Sequence, residues 1–160
     1  MNDRVTDDDR FLLAAIELAK KARNNGNHPF GALLVDADGN LVVESENTVV
    51  TGRDRTAHAE TNVMREATER FDLEFLQGCT LYTSCEPCAM CAGAIFWGNV
   101  RRVVFALSED DLRAIAGGNP ENAMLDIPCR EVFARGNYEV EVSGPHLREQ
   151  ARAVHDGYWG

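Results

Sequence analysis

No stretch of this sequence approaches the roughly 18 uninterrupted apolar residues that a membrane-crossing helix requires. The N-terminus runs from Met1-Asn2-Asp3-Arg4 into Asp7, Asp8 and Asp9 with no apolar core, which argues against a secretory leader. Basic side chains are scarce. Sixteen Lys and Arg stand against 26 Asp and Glu, a formal charge of −10. A surface with that balance repels phosphate backbones and anionic lipid heads, so nucleic acid and membranes are poor partners. Repeats, low-complexity runs and linkers are also lacking, and 160 residues suit one domain, 1–160. Five cysteines do not make an even disulfide set. A reducing cytoplasm is the expected compartment, where clustered cysteines bind metal or do chemistry.

What is present is ordinary globular material. Hydrophobic residues at 44% and charged residues at 26% exclude disorder as the default state. Phe11, Leu12, Ala15, Ile16 and Ala19 recur at helical spacing after Thr6, a candidate N-cap, and Asn24-Asn25-Gly26 ends the helix. Strands are expected at 32–35 and from Leu41, joined by the turn Asp36-Ala37-Asp38-Gly39-Asn40. Helices follow at 57–70 and 89–97, strands at 80–83 and 102–106, and a short helix at 110–116 before Gly117-Gly118-Asn119-Pro120. A fifth strand at 138–142 and a helix at 147–158 close the chain. Strands alternating with helices predict a three-layer α/β/α sandwich.

Two short segments carry chemistry: His58-Ala59-Glu60 and Cys85-Glu86-Pro87-Cys88-Ala89-Met90-Cys91. Zinc accepts imidazole nitrogen and thiolate sulfur. If Pro87 opens the helix, Cys88 and Cys91 lie one turn apart on one face. The helix N-terminus favours thiolates there. His58 supplies a third ligand, which leaves the fourth position for water, the mark of a catalytic zinc. Glu60, two residues on, can move a proton from that water to a substrate nitrogen. A closed structural site with Cys85 as fourth ligand is the competing reading. It would place a strand-end cysteine in the set and give Glu60 no role. Cys79 and Cys129 stand alone and read as small buried hydrophobes.

These residues form the H-x-E…P-C-x-x-C signature of zinc nucleobase deaminases. The chain resembles the cytidine-deaminase-like superfamily over nearly its whole length, with Pro29-Phe30-Gly31-Ala32 also in agreement. That resemblance implies a five-stranded mixed sheet between helices and hydrolytic deamination with one Zn2+ per chain. It assigns His58, Cys88 and Cys91 as ligands and Glu60 as the proton shuttle. Thr83-Ser84-Cys85-Glu86-Pro87-Cys88 and Ser108-Glu109-Asp110-Asp111 are similar to guanine-deaminase-like enzymes of free bases. Gly117-Gly118-Asn119 departs from their usual continuation. By the same resemblance Asn47, Phe30, Ala59 and Asp111 contact the base, and Tyr158 belongs to an aromatic C-terminal cover. The implied substrate is guanine first, with aminotriazines or cytosine beside it, and the implied assembly is a homodimer through part of 92–97. Deamination of tRNA adenosine and a non-catalytic zinc-stabilised binding module are the alternatives. The acidic charge and the absent basic tail oppose the first, and Glu60 opposes the second. His28, His146 and His155 are isolated and read as surface or satisfied residues.

Overall fold

The computed structural model describes residues 3–117 and 122–159. The chain opens with helix α1 (Asp3–Asn24) and the hairpin β1 (Gly31–Val35) and β2 (Leu41–Glu46). Helices α2 (Ala59–Arg70) and α3 (Leu73–Gln77) lead to β3 (Thr80–Cys85), α4 (Ala89–Trp97) and β4 (Arg102–Leu107). Then come α5 (Glu109–Ala116), α6 (Cys129–Ala134), β5 (Glu141–Ser143) and α7 (Arg148–Ala153). The described strands form one sheet in the order β2-β1-β3-β4-β5. β1 pairs antiparallel with β2 and β3, whereas β3–β4 and β4–β5 are parallel, so the sheet is mixed as expected.

Alternation along the strands divides the core into two layers. Ala32, Leu34, Leu81, Val103 and Phe105 face α2, α4 and α6 through Val63, Ala67, Ile95 and Phe133. Leu33, Val35, Tyr82, Val104 and Ala106 face α1 and α7 through Leu12, Ile16 and Ala151. β1, β3 and β4 are buried along almost their whole lengths; this explains the near-continuous apolar sequences of β1 and β4, while in β3 the buried Thr83 and Ser84 hydroxyls are hydrogen-bonded. Gly31 allows α1 to close on the start of β1. A Cβ there would stand 2.4 Å from the Ala15 carbonyl oxygen.

Several boundaries differ from the sequence reading. Thr6 lies inside α1, because no Gly or Pro upstream stops the helix before Asp3. The expected strand at 138–142 is β5 at Glu141–Ser143. Tyr138 is held elsewhere: its ring stacks on Phe96 at 4.2 Å and its hydroxyl donates to the Phe96 carbonyl. α7 ends at Ala153, where Arg23 donates to the Val154 carbonyl at 2.7 Å, and Gly157 turns the chain at φ +71°. α3 and α6 are absent from the sequence reading. Gly118, Asn119 and Pro120 lie outside the described residues.

Candidate active site

One end of the sheet gathers the functional segments. β1 runs opposite to β3, so Phe30 at its start lies beside the end of β3. Gly31 pairs with Glu46, which brings Asn47 to the same end, and Cys85 pairs with Leu107, which brings Ser108 and Glu109. α2 and α4 begin here, and both open on a candidate metal ligand. His58 is the N-cap of α2 and Cys88 the N-cap of α4, each in extended backbone. Pro87 therefore precedes the helix instead of opening it, and Cys91 is the third residue of α4. Its sulfur still meets that of Cys88 across the first turn.

His58 Nδ1 lies 3.6 Å from Cys88 Sγ and 3.5 Å from Cys91 Sγ, and the three donor atoms fall within 4.8 Å of one another. Zinc bonds of about 2.3 Å to sulfur and about 2.0 Å to nitrogen place tetrahedral S and N donors about 3.5–3.6 Å apart. The site therefore fits zinc as the side chains stand. The Cys pair loses its first proton readily at Cys88, where hydrogen bonds from Cys91 and His58 favour the thiolate. Thr61 Oγ1 contacts Cys91 Sγ at 3.3 Å. Cys85 is not in the cluster. It ends β3 with its thiol buried, and burial followed by Glu60, Glu86 and Glu109 raises its pKa well above the usual range. A protonated thiol is a poor zinc ligand.

Glu60, the second residue of α2, is buried and lines the cavity above these ligands. Burial, then the Cys88 charge, pushes its carboxyl up to about 7. A carboxyl at that value can both take and return a proton near neutral pH.

The cavity measures about 880 Å³ and is walled by His28, Phe30, Asn47, Glu86, Glu109 and Trp159 among others. Asn47 is buried, and its Oδ1 accepts from the Val49 N–H at 3.0 Å, which leaves its NH2 as a donor toward the cavity. Phe30 lies against His155 and Trp159. Ala59 is fully buried in the core, so its methyl group is not part of the wall.

Two residues expected at the site, Asp111 and Tyr158, do not line the cavity, although a near neighbour of each does. Asp111 does not line the cavity; Arg148 holds its carboxylate at 2.9 and 3.0 Å, and the acid in the wall is Glu109. Tyr158 stands behind the wall, with its hydroxyl 2.7 Å from His28 Nδ1, and Trp159 is the capping ring. His28, read as isolated, stacks on Trp159 at 5.8 Å and lines the cavity. In the sequence Glu86 stands only as part of the Thr83-Ser84-Cys85-Glu86-Pro87-Cys88 motif. It clamps two segments, accepting from Glu109 N and Cys129 N at 3.0 Å each. No periodicity could have shown either role.

Residues 5–107 match the family model of the cytidine and deoxycytidylate deaminase zinc-binding region. The chain is 41% identical over 150 residues to a probable cytosine deaminase of Schizosaccharomyces pombe, covering 93% of this chain and 90% of the relative. A guanine deaminase of Bacillus subtilis is 44% identical over 102 residues, 63% of this chain and 65% of that one. A tRNA-specific adenosine deaminase of Haemophilus influenzae is 40% identical over 108 residues, 68% and 62% of the two chains. Among solved structures, a guanine deaminase from Nitrosomonas europaea superposes with a TM-score of 0.73 at 31% identity, over 90% of this chain and 80% of that one.

Proposed function

The chain belongs to the cytidine and deoxycytidylate deaminase zinc-binding family, and from that membership and its cavity we propose a hydrolytic deaminase of free nucleobases, with guanine ranked first. The observation that carries the reading is the cavity around Glu60 and the aromatic side chains that line it. Phe30, His28 and Trp159 bring aromatic cover over a cavity roomy enough for a bicyclic base. Zinc, when bound by His58, Cys88 and Cys91, would supply Lewis-acid activation of water. This chain's residues then do the rest. Glu60 takes a proton from water and delivers it to the exocyclic nitrogen, which leaves as ammonia while the ring carbon gains oxygen. Asn47 donates to a ring acceptor and orients the base. A base seated in the cavity would displace water from Glu60 and strengthen these charges.

Cytosine is the second reading, favoured by the S. pombe relative that matches along nine-tenths of both chains. Identity alone does not separate free bases from tRNA, since relatives of both kinds stand near 40%. Charge favours the free base. RNA binding needs a cation for each phosphate neutralised, and the cations in the cavity wall are Arg53 and Arg55 on a chain of net −10. No described helix is long and apolar enough to cross a membrane. We place the enzyme in a reducing cytoplasm, where its five free cysteines would persist, as a homodimer.

An ammonia-release assay across guanine, cytosine, adenine, ammeline, guanosine and an anticodon stem-loop tests the proposal. Turnover of guanine with an inert stem-loop is expected. Efficient conversion of adenosine to inosine in the stem-loop, with free bases inert, overturns it.

A further inference from the structure

Glu109 is a buried cavity side chain whose carboxylate receives no hydrogen bond from the described residues. It opens α5 behind the Ser108 cap, and Glu86 fixes its backbone N–H at 3.0 Å. Its side chain is 8% exposed and lines the cavity, yet no described donor reaches its oxygens. Arg113 is 4.0 Å away, and that guanidinium is engaged more closely by Asp110 at 2.8 Å and Asp126 at 2.9 Å. Burying a carboxyl is unfavourable unless donors satisfy it. Nothing in the proton path already assigned to Glu60 uses this second acid. Across the same cavity Asn47 presents the opposite character, an amide NH2 whose oxygen is already taken by Val49. The cavity thus offers an amide donor at Asn47 and a carboxylate acceptor at Glu109.

We propose that Glu109 is a specificity-determining residue that accepts a ring N–H of the bound base, so the enzyme selects heterocycles carrying a donor at that edge and rejects those alkylated or glycosylated there. This rests on the deaminase reading and sharpens it. Free bases carry ring N–H groups at positions where nucleosides carry a sugar. A glycosylated nitrogen offers Glu109 no proton and places bulk against a carboxylate left unpaired. Rejection follows from the lost donor as well as from size.

The test pairs the enzyme's acceptor with the substrate's donor. kcat and KM are measured for guanine and for 1-, 7- and 9-methylguanine, and for cytosine and 1-methylcytosine, with wild type and Glu109→Gln. The variant is expected to raise KM for the parent base about tenfold or more, with a smaller change in kcat. One N-methyl derivative should be as poor a ligand for wild type as the parent is for the variant, and should lose nothing further in the variant. An equal loss on parent and methylated bases, or no loss, overturns the proposal. If Glu109→Gln does not fold, competitive inhibition of wild type by the methylated bases decides. Indifference to methylation at every ring nitrogen, in an enzyme that deaminates the parent base, removes this proposal alone. A wild type inert on all free bases removes the parent reading with it.

Discussion

Cys85 and Cys88 share the spacing of a ligand pair, but Cys88 alone of the two reaches His58. Cys85→Ala is expected to retain one zinc per chain and Cys88→Ala to lose it, as read by metal analysis of purified protein. Equal loss from both would indicate a four-ligand site. Glu60→Ala should keep zinc and thermal stability while turnover falls about 10²–10⁴-fold, the range for a general acid–base group. An unchanged rate in that variant would sink the proton path. The clustering of His58, Cys88 and Cys91 could be read from sequence because coordination chemistry fixes residue type and spacing together. The wall could not be read in the same way. Successive helix residues point about 100° apart, so which of Glu109, Asp110 and Asp111 faces the cavity depends on the phase of α5. The phase shows in contacts absent from local sequence: Arg148, 37 positions away, holds Asp111, and Glu86 holds the backbone of Glu109. The same limit separates Tyr158 from Trp159.

At the scale of elements, long amphipathic helices and buried strands were legible within a few residues, because periodicity over many positions outweighs local noise. α3 and α6, at five and six residues, are too short to show a period. The end of α7 escaped for a different reason: Arg23 from α1 takes the Val154 carbonyl, a contact no local pattern encodes. Beyond that end the chain becomes the cavity's cap, and its anchor is His155. The Trp159 Nε1–H donates to His155 Nδ1 at 2.9 Å, which requires that nitrogen to be unprotonated. Burial, then Arg23, depresses the His155 pKa to about 4, with Asp156 opposing. The unfolded chain, with histidine near 6.5, binds more protons between those values. Stability from this group is therefore complete above about pH 6.5 and is lost as pH falls toward 4, by up to about 3 kcal/mol. Melting temperatures followed from pH 7 to 4 should fall less steeply in His155→Gln than in wild type. Parallel curves would show that His155 does not anchor the cap.

For the whole molecule, charge and exposed apolar surface set the partners. Arg101-Arg102 reads in sequence as a small basic spot, but Arg102 is buried against Asp8 at 2.7 Å and adds nothing to the surface. Burial also withdraws Asp8, Glu60 and Glu109, so the exterior stays acidic but by less than the full count implies. Its exposed apolar side chains include Trp97, 83% exposed at the end of α4, and Leu73, 64% exposed at the start of α3. Asn99 ties the two regions together by donating to the Leu73 carbonyl at 2.8 Å. Phe96, the neighbour of Trp97, is already covered by Tyr138, so the unmatched surface centres on Trp97 itself. A large ring held outward on a rigid helix end is the kind of anchor that dominates protein interfaces, where its removal costs about 2 kcal/mol or more. Light scattering at micromolar concentration should return twice the 17.7 kDa of one chain. Trp97→Asp should weaken the dimer by more than tenfold and shift the mass toward that of one chain, with zinc retained because Cys88 and Cys91 lie toward the opposite end of α4 and His58 lies at the start of α2. A wild-type monomer, or a dimer indifferent to Trp97→Asp, would remove this face from the assembly.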